Sequence, residues 1–448
     1  MTAAPDPPPA VLEGIAKSMT ALAGALLLWS SCARVRPSEA QALLYLYNQS
    51  SGASWINNGH WDITKDPCRK VSAPVPYRGF ASASEFAAQP FKPGQRYEAT
   101  PWYGVGCVDP CDDYLDGDGC TAGRITGLAL PRNGLGAPPP GLPPFDWRSL
   151  GEMRNLTLLD LSYNSISGSI PTEIGLINNI EAINLRDNSF YGDLPSELGS
   201  LNANGVGKLS EISLANNRLR GHLPSSLASH ASSLVYLDVA HNLHLSGTMP
   251  ASYSSLPALQ VFYLQNNSFS GTLPANFGAD GGLAEVRYFE LWGNPKISGT
   301  LPPTIGNLTD LYTLDLKGLR LSGTLPSELG KLQNLHFLRL NDNRFSGSLP
   351  TQLGNLQGLE TLDLYNNPFA GNMPSELGRL INLRLMYLPN EQLLPLRLRY
   401  CQYRLPSLGK YSYRLVREEY YKFASSICPE PYDTLSAFGT LSQLSGDV

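Results

Sequence analysis

No apolar run in this 448-residue chain reaches the roughly 18 residues that a bilayer-spanning helix needs, so no membrane span is expected. Charge is also scarce: 16% of residues are charged and the formal net charge is -5. A phosphate-binding surface needs clustered Lys and Arg, and this acidic balance excludes nucleic acid as a partner. The histidines, at 60, 222, 230, 241, 244 and 336, are scattered and show neither HExxH nor nucleophile–base spacing. CxxC pairs are missing, which excludes a four-ligand zinc site; no metal and no cofactor is expected. What the chain does contain is 42% apolar residues with 42 Gly and 36 Pro, the composition of a folded, turn-rich protein.

The longest apolar stretch, Met19 to Trp29, lies between Lys17 and Arg34 and ends in Ser30, Ser31, Cys32 and Ala33. A short apolar core before a small-x-small site reads as a secretory signal over residues 1–33, with Met19 as an alternative start. Export agrees with the remaining cysteines, Cys68, Cys107, Cys111, Cys120, Cys401 and Cys428. Their grouping at the two ends narrows the choice and favours Cys68 with Cys107, Cys111 with Cys120, and Cys401 with Cys428. Four N-x-S/T sequons, at Asn48, Asn155, Asn266 and Asn307, are candidate glycosylation sites of an extracellular or wall-associated chain.

The dominant signal is a repeat. SISGSIP, SFYGDLP, RLRGHLP, HLSGTMP, SFSGTLP, KISGTLP, RLSGTLP, RFSGSLP and PFAGNMP carry glycines at 168, 192, 221, 247, 271, 299, 323, 347 and 371. Five of the eight intervals are 24 residues, and the others are 26, 28 and 29. Fixed periods of this size mean a solenoid. Each unit also holds a short alternating piece such as LTLLDLSYN (156–164), in which leucines point inward and the intervening residues outward. An Asn follows at 133, 164, 188, 217, 242, 267, 294, 343 and 367, where its amide can satisfy buried backbone groups of adjacent coils. Leu319 breaks that ladder, and local loosening is expected there.

LGKLQNLHFLRLNDNRFSGSLP (329–350) and its companions resemble the plant-type leucine-rich repeat. QALLYLYNQSSGASWINNGHWDITKDPC (41–68) and PWYGVGC (101–107) resemble that family's N-terminal cap. The resemblance implies an α/β solenoid, a right-handed superhelix of about ten to eleven repeats over 125–394. It also implies a disulfide-linked cap over 34–124, and the layout is similar to polygalacturonase-inhibiting proteins. The segment 69–100 is an insertion relative to the family, and CDDYLDGDGC (111–120) is an extra loop. That loop lacks EF-hand spacing and reads as a solvated turn rather than a calcium site. In 395–432, Val416, Tyr420, Phe423, Ala424 and Ile427 form a helical stripe expected to cap the open core; 433–448 reads as a tail. The basic cluster around Arg397, Arg399, Arg404, Lys410, Arg414 and Arg417 reads as a solvated face of that cap.

Asp160, Asp238, Glu290, Asp315 and Asp363 share one outward column, and Glu290 and Asp315 stand on adjacent strands. A glycosidase pair needs a cleft that shields one acid, and an open, wet sheet does not supply one. No enzyme activity is expected. The stronger signal is the set of outward aromatics and one cation: Tyr236, Tyr263, Tyr288, Trp292, Tyr312, Phe337, Arg339 and Tyr365. Rigid rings beside Arg are the usual anchors of protein recognition. The expectation is a secreted recognition protein whose concave face takes an extracellular protein or peptide. The alternatives are a cell-wall glycan, a glycan-degrading enzyme that it inhibits, and a structural role in the matrix.

Overall fold

The structure, a computed structural model, describes residues 105–108, 124–130, 135, 151–388 and 414–416, apart from 152, 155, 203–208, 231 and 280–281 within the long segment. The signal segment, the cap insertion 69–100, the tail, Asn133, Asn48, Asn155 and every expected cystine partner except Cys107 lie outside the described residues.

Each LxxLxL piece becomes a three-residue strand, because alternation places one leucine inward and its neighbours outward. These strands stack in chain order into a 13-stranded sheet, in which all but the first and last neighbours run parallel. The register is regular: Leu237 pairs with Phe262, Phe262 with Phe289, and Phe289 with Leu314. These inward residues are fully buried in one core that runs from Leu128 to Leu388. The larger rings fill the middle of the stack, with Phe262 and Phe289 5.6 Å apart and Phe277 4.9 Å from Phe289.

The xLxGxxP pieces form a second, 8-stranded parallel sheet beside the first. Its glycines are demanded twice over. Gly271 has φ +81°, which disfavours any L side chain, and a Cβ there would lie 2.8 Å from Thr248 Cγ2 in the preceding coil. The proline of each motif then sets an extended φ, as at Pro326 (φ -68°), just before a short 3-10 turn such as Ser327–Lys331. In the next such turn, a Cβ on Gly354 would collide with the Glu376 carbonyl, so glycine sets the spacing between coils. The expected α/β class therefore needs adjustment. Among the described residues, the elements opposite the long sheet are mostly 3-10 turns, and the single α-helix is the six-residue Ser225–His230. A 24-residue coil that already spends residues on two strands leaves room for little more than one tight turn.

The asparagine ladder forms as expected. Asn217 Nδ2 donates to Leu185 O (3.0 Å) in the preceding coil and Leu214 O (3.1 Å) in its own. Its Oδ1 accepts from Phe190 N–H at 3.0 Å. Asn343 repeats this with Leu316, Leu340 and Leu321. The loosening expected at Leu319 is not seen: Leu319 is 4% exposed, and the flanking strands keep register from Glu290 through Asp315 to Arg339. The preceding coil has an extra residue in its turn, where Ile297 N–H bonds the Asn294 carbonyl at 3.1 Å, as Leu245 N–H bonds the Asn242 carbonyl at 2.8 Å in an earlier coil.

The capping helix expected from Arg414 onward is corrected at its start. Arg414–Val416 is a strand, antiparallel to Leu385–Tyr387, with Leu385 opposite Val416. Unpaired backbone groups at the sheet's last edge outweigh an i, i+4 apolar stripe. At the other end, Val105–Val108, which includes Cys107, pairs antiparallel with Arg124–Ala129.

Candidate functional site

Outward residues of the long sheet fall into columns, one residue per coil and about 4.8 Å apart. One column carries Asp160, Asn184, Asp238, Asp315 and Asp363, and its acids do local structural work. The Oδ1 of each accepts the N–H two residues on: Ser162 (3.0 Å), Arg186 (3.3 Å), Ala240 (3.0 Å), Lys317 (3.3 Å) and Tyr365 (3.1 Å). The expectation that nothing buries these acids is overturned. Asp160 is 1% exposed, Asp315 2% and Asp238 4%, and burial raises the pKa of all three, Asp160 to about 6. Glu290 and Asp315 are adjacent, but each has a partner: Glu290 Oε2 accepts from Trp292 Nε1 at 3.0 Å, and Asp315 Oδ2 faces Arg339 at 3.4 Å and Lys317 at 3.8 Å.

Tyr236 is not available to a ligand. It is 6% exposed, and its hydroxyl donates to Asp238 Oδ2 at 3.3 Å. Tyr263 meets it edge-on at 6.2 Å. The other sequence-expected residues, Tyr263, Tyr288, Trp292, Tyr312, Phe337, Arg339 and Tyr365, are half-buried and outward-facing.

The structure gathers several of them into a strip. Tyr312 sits 5.8 Å from Tyr288 and 5.6 Å from Phe337, and the Arg339 guanidinium lies 5.3 Å over Phe337. Two partners not singled out from sequence complete it. His336 stacks on Tyr312 at 4.2 Å, and the Lys317 ammonium lies 4.3 Å over the Trp292 ring. Both stand at outward positions of LxxLxLxx, so the column reading that found the aromatics contained the signal for them as well. His241 packs edge-on against Trp292 at 6.0 Å and lies 3.2 Å from Asn266 Nδ2, the atom a glycan would occupy. Asn307, an exposed sequon, instead donates to Gly278 O at 3.1 Å on the turn side.

Toward the first coils the face changes character. Glu211 is 3% exposed, with burial and then the Asp160 charge raising its pKa to about 8. Its Oε1 and the Ser213 hydroxyl have no hydrogen-bond partner. Among the described residues no group of three metal-ligating side chains forms, and no helix is long and apolar enough to cross a membrane.

Stacked three-residue strands, a hydrogen-bonded asparagine ladder interrupted at Leu319 and a second sheet of xLxGxxP segments define a leucine-rich-repeat solenoid. Its repeats match those of the plant-type leucine-rich-repeat family. A leucine-rich repeat region model matches residues 230–394, and a Leucine Rich Repeat model matches 155–176 and 208–230. Receptor-like protein 39 of Arabidopsis thaliana is 32% identical over 172 residues, which is 38% of this chain and 18% of that protein. The crystal structure of a TDR receptor aligns with TM-score 0.53 and 30% identity over 59% of this chain and 42% of that one. A plant peptide hormone receptor in complex with the peptide RGF2 aligns with TM-score 0.50 and 28% identity, covering 63% of this chain and 47% of that one. The chain thus spans less than half the length of each of these three relatives.

Proposed function

We propose that this chain is an extracellular, non-enzymatic recognition protein that binds a peptide or protein segment along the 13-stranded sheet. The footprint runs from Tyr263 to Tyr365. The observation that carries the reading is the half-buried strip of Tyr288, Tyr312 and Phe337 with Arg339, beside Trp292 under Lys317. Rings already held by their neighbours lose little conformational entropy when a ligand covers them. The kinship with plant peptide receptors supports a peptide over a small molecule, and the partnered acids argue against hydrolysis. The hydrolase-inhibitor reading rests on overall layout alone.

The test is selection of binders from a displayed random-peptide library against the purified full chain, followed by affinity measurement on variants. Phe337→Ala and Trp292→Ala are expected to weaken the selected peptides at least about 30-fold, the size of a hot-spot loss of ~2 kcal/mol. Unchanged affinity in both variants, with loss on substituting exposed turn-side residues such as Lys331, refutes this footprint.

A further inference from the structure

The 8-stranded sheet carries a second, separate pattern. Its strands are offset so that threonine, serine and a cation from three successive coils fall in line. Thr248 pairs with Ser270 and Ser270 with Lys296. Thr272 pairs with Ser298 and Ser298 with Arg320. Thr300 pairs with Ser322 and Ser322 with Arg344. The same row thus occurs three times, each displaced by one coil, and all three cations and all three threonines are exposed.

These cations form no ion pair among the described residues, although the chain as a whole is acidic. On a neighbouring strand Arg220 is paired with Asp193 at 3.3 Å. Asp342, two residues before Arg344, instead accepts from Asn341 and Asn366. Two of the three serines are also committed: Ser270 Oγ donates to Gly247 O at 3.3 Å and Ser322 Oγ to Gly299 O at 3.2 Å. With its proton engaged, a serine oxygen offers only lone pairs to a visitor. A ligand suited to this face must therefore bring anions at repeated intervals and hydroxyl donors between them. Phosphodiester backbones of DNA bring the first without the second.

We infer that the Thr–Ser–cation rows of the 8-stranded sheet bind a linear anionic polysaccharide, its carboxylate or sulfate groups on Lys296, Arg320 and Arg344 and its hydroxyls on the serines between them. This surface is distinct from the aromatic strip.

The experiment measures retention of the full chain on immobilised polygalacturonate, dextran sulfate and single-stranded DNA at low and at physiological salt. The charge-reversed triple Lys296→Glu/Arg320→Glu/Arg344→Glu is compared with a control triple of equal charge, Arg154→Glu/Lys331→Glu/Arg379→Glu, with circular dichroism confirming that both fold. The first triple is expected to lose about tenfold or more in polysaccharide affinity while the control stays near the parent. Retention on polygalacturonate points to uronate and on dextran sulfate to sulfate ester as the source of charge. Trp292→Ala is expected to bind the polymers unchanged, which separates this surface from the peptide site. Equal loss in both triples, equal retention on DNA, or no retention on either polysaccharide overturns the inference.

Discussion

Lys317 and Trp292 stand one coil apart in the same outward column, with the ammonium 4.3 Å from the ring centroid while it also faces Asp315 at 3.8 Å. The carboxylate and the π-face hold one cation between them, and this fixes the indole in the posture it presents. A double-mutant cycle of Lys317→Ala and Trp292→Leu is expected to show a coupling of about 0.5–1 kcal/mol in chemical denaturation, the usual size for a half-exposed cation–π pair. Strict additivity of the two losses contradicts the contact.

The asparagine ladder gives a contrast between two positions that look alike in sequence. Asn343→Ala is expected to cost about 1–3 kcal/mol for each backbone group it strands, read as a lower denaturation midpoint. Leu319→Asn, which restores the motif, is expected to gain nothing. A leucine side chain buried to 4% exposure would be lost, which offsets any bond that the new amide makes.

Acidity should act through the first coils. Glu211 ordinarily titrates near 4.5 and is raised to about 8, and Asp160 is raised from 3.8 to about 6. Because the folded carboxyls hold protons more tightly than the unfolded ones, stability is expected to fall as pH rises. For Asp160 the fall runs from about 4 to about 6, and for Glu211 from about 4.5 to about 8. Melting temperatures followed from pH 5 to 9 should decline, and Glu211→Gln should flatten the upper part of that decline. A parent profile that rises across this range contradicts the assignment.

Spacing between coils depends on glycine in the 3-10 turns. Gly354→Ala pushes a methyl into the Glu376 carbonyl and is expected to destabilise by about 1–3 kcal/mol, as overpacking does. Gly318→Ala meets no atom within 4 Å, so its cost should come only from the φ of +69°. Comparing the two midpoints separates steric collision from backbone strain.

The sequence revealed most about features with a local cause. The repeat glycines, the inward leucines and the asparagine amides each answer to one coil and its neighbour, so their spacing alone exposed them. Tyr263, Tyr312 and Phe337 were readable for the same reason. Tyr236 was not, because its burial depends on Asp238 and Tyr263 lying beside it. The acid column misled in the same way: its members looked solvated, whereas the aspartates are engaged by the backbone two residues on and Glu290 by the Trp292 indole. At the C-terminal end, periodicity favoured a helix over Arg414–Val416, and only the open edge of the sheet made a strand the better partner.

That reversal of chain direction, met at Val105–Val108 as well as at Arg414–Val416, bounds the parallel part of the described sheet on both sides. A coil of identical form offers the same hydrogen-bonding rim on both sides, and nothing in such geometry prevents copies from joining end to end into fibres. An oppositely running final ribbon presents a rim whose donors and acceptors no longer match the next copy's first parallel turn. Among the described residues, both edges of the parallel stack are thus covered by short strands of opposite direction, an arrangement that disfavours head-to-tail polymerisation.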